Sequence, residues 1–155
     1  MAVLINNSQS RINIAVPVLQ KTATVILSAL GCPEGELSIL IVDDPRIAAL
    51  NRQYLNRMGP TNVIAFPMRE GEFSQISPGL LGDVVISIDT AQTEGEAGGI
   101  STEERFVELL VHGILHLFGY DHETDEAEAL RMEEKSQALL RIIQSTPELE
   151  KLISE

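Results

Sequence analysis

Between Ser101 and Gly119 the sequence spells a helix that is apolar on almost every side. Ser101 with Glu104 three residues later is a capping-box pattern. Phe106, Val107, Leu109, Leu110, Val111, Leu115 and Leu117 follow, and the run stops at Phe118–Gly119, where a left-handed residue costs glycine little. A helix without a broad polar face has to be enclosed by other elements, so this segment is expected at the centre of the fold. The rest of the chain supplies its cover. A strand is read at Val3–Asn6. Pro17 opens a helix whose apolar positions Leu19, Ala23, Ile26, Leu27 and Leu30 keep helical spacing up to Gly31. Glu36–Val42 reads as a strand, and Asp43-Asp44-Pro45 starts a helix with Ile47, Leu50 and Tyr54 on its buried stripe. A loop at Asn56–Pro60 leads to a strand at Asn62–Phe66, closed by Pro67. A polar loop or lid at 69–79 precedes a strand at Leu81–Ile88. Asp89 is read as the cap of a short helix broken by Gly95, Gly98 and Gly99. Asp125 with Glu128 opens a last helix to about Gln144. The expectation is a single α+β domain over 1–155, with a mixed sheet of about four strands packed with about five helices.

Composition narrows the function classes. The chain has 155 residues, 44% of them hydrophobic, enough for a core without covalent staples. Its one cysteine, Cys32, forms no internal disulfide and reads as a small apolar filler, which fits a reducing, cytoplasmic setting. MAVLINNSQS lacks the pattern of a signal peptide, and no run approaches about 18 apolar residues, so neither secretion nor membrane spanning is expected. The net charge of −12 is unevenly spread: residues 1–69 hold 6 basic and 4 acidic side chains, residues 70–155 hold 5 and 19. Bulk attraction to nucleic acid is thereby excluded. A local arginine cluster remains, because Arg46, Arg52, Arg57 and Arg69 lie in a stretch without a single acid. The acidic last helix reads as a solvated face, with a basic ribosomal protein as the alternative partner.

All three histidines fall within eleven residues, His112-Gly-Ile-Leu-His116-Leu-Phe-Gly119-Tyr-Asp-His122. His112 and His116, at i and i+4, share one helix face. After the turn at Gly119, His122 can return to the same point. Three imidazoles around one Zn2+ per chain leave a coordination position open, as in catalytic zinc sites, where bound water ionises near pH 7; nickel, copper and iron also suit imidazole. The spacing equals that of the metzincin proteases, but the position of their general-base Glu is Gly113. Glu108, one turn earlier, is a candidate partner for an imidazole or an ordinary surface glutamate. Asp121 is a candidate hydrogen-bond partner of a ligand histidine or a turn residue, and Asp83 has no clear role.

These residues, with Pro60-Thr-Asn-Val-Ile-Ala-Phe-Pro67, Leu81-Gly-Asp-Val-Val-Ile-Ser-Ile-Asp-Thr-Ala91 and the acidic Glu126–Glu133 segment, resemble the bacterial YbeY family. The resemblance implies a zinc-dependent, single-strand-specific endoribonuclease acting in 16S rRNA 3′-end maturation and ribosome quality control, with His112, His116 and His122 as the metal ligands. It implies single-stranded RNA or an rRNA precursor as substrate, the ribosome or its proteins as partners, and no DNA. Two positions depart from the family pattern. Leu55 stands where the family has an arginine, and Met58 where it has an acid; Arg57 is the cation expected to replace the lost charge and hold a phosphate. The attacking group is either metal-activated hydroxide or the RNA 2′-hydroxyl. Of the aromatics, Phe66 and Phe118 read as core, Tyr120 as a possible cleft residue, and Phe73 as an exposed RNA contact. Two other readings stand beside the nuclease: a ribosome-assembly binding factor with a structural or vestigial zinc, and a hydrolase of another substrate, peptide included, against which Gly113 argues.

Overall fold

The structure is a computed structural model that describes residues 3–68, 80–120 and 125–154. Its main sheet has four strands in the order β1-β3-β5-β4: β1 (Val3–Asn7), β3 (Glu36–Val42), β4 (Val63–Pro67) and β5 (Leu80–Ser87). The β1–β3 and β3–β5 pairs are parallel and β4 runs antiparallel to β5, so β4 is an edge strand. The expected mixed sheet of four strands is therefore present. A second, two-stranded sheet joins β2 (Asn13–Ile14) to β6 (Ile153–Ser154). Two-residue strands carry no readable alternation, and nothing in the sequence announced this pairing.

Among the described residues there are five α-helices: α1 (Val16–Ala29), α2 (Asp44–Leu55), α3 (Ile88–Gly98), α4 (Thr102–Leu117) and α5 (Glu126–Gln144). α4 is the central one. Phe106, Leu110, Val111, Ile114 and Leu115 on it are fully buried, in one cluster with Val3, Leu37, Ile39, Val84 and Ile86 from the sheet and Leu19, Ala23 and Ile26 from α1. Its Ser101 Oγ accepts the Glu104 N–H at 3.0 Å, as the capping pattern predicts. Asp125 likewise accepts from Glu128 N at 2.7 Å and caps α5. The other sheet face has a smaller core of Val42, Ile47, Ile64 and Val85 under α2.

α3 differs from the sequence expectation at its start and at Gly95, and ends at Gly99 as expected. Its cap is Ser87, whose Oγ accepts from Thr90 N at 3.2 Å. Asp89 instead accepts from Asp44 N and from Arg11, tying the starts of α2 and α3 to the N-terminal segment. Gly95 does not break the helix. It lies where α3 touches the backbone of Ile100 and Ser101, and a Cβ there would stand 3.0 Å from Ser101 O. The break comes at Gly99, with φ +73°.

Candidate metal centre and its cleft

His112 and His116 are half-buried on the C-terminal half of α4. Their Nε2 atoms stand 3.0 Å apart, with ring centroids at 4.5 Å and planes at 79°. Without an ion, one of these nitrogens must carry a proton and donate it to the other, since two lone pairs would repel at this range. The same separation admits one ion at about 2.0–2.1 Å from both nitrogens, the zinc–imidazole distance. The donor set therefore fits a metal. His122, the third expected ligand, lies outside the described residues, as do Asp121, Arg69 and Phe73. With His122 outside them, no group of three metal-ligating side chains forms among the described residues.

The structure explains why the residue after His112 is glycine. α4 crosses β4 and β5 so closely that a Cβ on Gly113 would stand 2.7 Å from Val84 Cγ1 and 3.1 Å from Val63 Cγ2. That side of the helix points into the sheet, away from the imidazoles. A metzincin-type glutamate has no room here, so the position offers neither a base nor space for one.

A polar cleft of about 290 Å³ opens at His112, with Asn62, Arg105 and Glu108 on one side and Glu133, Ser136 and Gln137 of α5 on the other. Its near wall is a chain of polar contacts across three elements. Asn62 donates from Nδ2 to the Glu94 carboxylate at 3.3 Å, and its Oδ1 accepts from Val63 N at 2.7 Å. Arg105 donates to Glu94 from Nε and Nη2 at 3.0 and 2.9 Å, and to Glu108 from Nη1 at 2.9 Å. Burial works against the Arg105 charge, but the hydrogen bonds and charges of Glu108 and Glu94 outweigh it and hold the guanidinium above its ordinary pKa. Glu108 is thus bound to Arg105. With Arg105 shared by two carboxylates and Glu133 adding another across the cleft, this side of the site does not attract a phosphate.

The chain leading into this wall is different in charge. The α2–β4 connection, which reaches the cleft at Asn62, carries Arg57 and Met58, and no acid lies between Pro45 and Met68. Arg57 is exposed, does not line the cleft, and has no ion-pair partner among the described residues. Met58 and Leu55 are also exposed, at 83% and 41%. Phe118 and Tyr120 are partly buried against the main core and Phe66 against the smaller one. Cys32 is half-buried beside Gly35. Sequence reasoning missed Glu94, Arg105 and the part played by Asn62. Eleven residues separate Glu94 from Arg105 and thirty-two separate Glu94 from Asn62, so no local pattern links them.

No helix among the described residues is long and apolar enough to cross a membrane. Residues 4–144 match the family model described as Endoribonuclease YbeY. Proteins named endoribonuclease YbeY are similar over nearly the whole chain. That of Geobacter metallireducens is 52% identical over 145 residues, covering 93% of this chain and 97% of the relative. That of Geobacter sulfurreducens is 48% identical over 146 residues, covering 94% and 97%. The solution structure of TM1509 from Thermotoga maritima superposes with a TM-score of 0.60 at 18% identity, covering 94% of each chain, a likeness of fold.

Proposed function

Because this chain belongs to the YbeY family of endoribonucleases, we propose that it cleaves single-stranded RNA during maturation of the 16S rRNA 3′ end and in ribosome quality control, at a metal held by His112, His116 and His122. RNA hydrolysis as such follows from the family. The observation that carries the finer reading is the pair of imidazole nitrogens meeting at 3.0 Å on a helix anchored in the core. Zinc bound there supplies a Lewis acid for the phosphodiester and lowers the pKa of water to about 7.

The chain's own residues do the rest. Packing of Phe106, Leu110 and Ile114 fixes α4, so the two imidazoles are held without a change of fold on binding. Glu94 and Arg105 hold Asn62 at the cleft wall. Glu94 and Glu108 occupy Arg105 and Glu133 faces it across the cleft, so a phosphate is held from outside the cleft, by Arg57 on the acid-free α2–β4 connection. Gly113 offers no general base, which disfavours peptide hydrolysis.

The test is cleavage of a labelled single-stranded RNA by wild type and by His116→Ala, prepared identically and assayed for metal content. Wild type is expected to hold about one zinc per chain and to cleave, and the variant to lose both. Equal cleavage by the two would place the chemistry elsewhere. Bound zinc in wild type without cleavage would favour the assembly-factor reading.

A further inference from the structure

The sheet face opposite the histidines is only half covered. α2 lies over part of it, and beside α2 a groove of about 420 Å³ is lined by Leu50 and Tyr54 of the helix and by Leu40, Phe66, Val85 and the more polar Ser38 and Asp83 of the sheet. Tyr54 is 60% exposed, and its ring meets Phe66 edge to face at 5.6 Å between centroids. The contact with Phe66 positions the phenol ring at the groove, and more than half of the side chain stays exposed.

Arg46, Leu50 and Tyr54 stand four residues apart and share one stripe of α2. Arg46 is exposed and without an ion-pair partner among the described residues, in a protein of net charge −12. An exposed aromatic ring beside an apolar slot, with a cation along the same stripe, is the chemistry that grips single-stranded nucleic acid: stacking for a base, a guanidinium for a phosphate. Asp83, acceptor-only when ionised, repels phosphate but takes hydrogen bonds from a base amino group.

The groove and the histidines are joined by the β4 edge. Val63 packs under α4 beside Gly113, while Phe66, three residues on and about 10 Å along the strand, faces the groove. Among the described residues β4 has no strand beyond it, which gives a single RNA strand a route around this edge to both faces. We propose that the Tyr54 groove is a second RNA subsite, which stacks an unpaired, amino-bearing base on Tyr54 and holds a neighbouring phosphate with Arg46, while the same strand continues around β4 to the histidines. The inference rests on the endoribonuclease reading and adds to it where the rest of the strand lies.

The experiment measures binding of a fluorescent, non-cleavable 2′-O-methyl oligoadenylate to the full chain, so its failure is separable from failure of the cleavage assay. Tyr54→Ala is expected to weaken Kd about tenfold or more for a long strand, and Tyr54→Phe to retain wild-type affinity. In a His116→Ala background, where the histidine site is disabled, Tyr54→Ala should still weaken binding of the long strand by a similar factor. Arg46→Gln should flatten the slope of log K against log salt by about 0.7. Unchanged affinity for the long strand in Tyr54→Ala would overturn the proposal and leave the groove to a protein partner. No further loss from Tyr54→Ala in the His116→Ala background would also overturn it, since Tyr54 would then act through the histidine site itself.

Discussion

At Gly113 one missing side chain reconciles two demands. The helix that carries the histidines has to lie close on the sheet to be held, and the residue between them and the sheet has to be small. Alanine is the better helix former by about 1 kcal/mol, yet its Cβ would press into the buried Val84 at 2.7 Å. Overpacking of this kind costs about 1–3 kcal/mol, so after the helix gain Gly113→Ala should lower the unfolding free energy by up to about 2 kcal/mol in urea. A stabilised variant would mean that Val84 yields without cost. The residue scale is also where the sequence was most legible for the site. The spacing of His112 and His116 predicts their convergence because an α-helix returns to the same face every four residues. Gly113 could be read as a missing base, but its steric reason lies in the sheet, some thirty residues away.

At the scale of elements, the caps hold the architecture and can be ranked. Ser101 and Asp125 cap α4 and α5 by a local bond to a backbone N–H three residues on. Ser87 does this for α3 and also donates to Asp44 Oδ1 at 2.6 Å, an oxygen that Thr90 shares at 2.6 Å. Ser101→Ala should therefore cost about 1 kcal/mol, and Ser87→Ala about 2–3 kcal/mol, because it also leaves a carboxylate oxygen short of a donor. Equal losses in denaturant titrations would show that Thr90 or solvent satisfies Asp44 unaided. The two local caps were visible in the sequence as Ser101/Glu104 and Asp125/Glu128. The third was not, since Asp89 is an equally good capping residue and only its contacts with Arg11 and Asp44 take it away from the helix end.

Across the whole molecule, charge and topology divide the labour. The acidic half of the chain supplies α4, α5 and the carboxylates of the cleft; the acid-free segment supplies α2 after its first residue, Asp44, and β4. Binding of RNA then depends on few cations. With about three phosphates neutralised, log K should fall with log salt at a slope of about −2 for a single strand. A slope of about −5 or steeper in a salt titration of wild type would require a broader basic surface than α2 and its connection provide. The sheet order also matters at this scale. Among the described residues β4, which packs under α4, is at the edge of the sheet, and an edge strand is where another chain can run alongside.

The sequence by itself determined the central helix, its ends, the four main strands within a residue or two, the meeting of two histidines and the family. All of these rest on patterns that repeat within a few residues or on motifs read in order. The tertiary structure alone decided the β2–β6 pairing, the Asn62–Glu94–Arg105–Glu108 wall, the reason for Gly113, and the groove between Tyr54 and Phe66. Each joins side chains far apart in the chain, and a hydrogen bond, an ion pair or a steric limit depends on distance in space, which local periodicity does not encode.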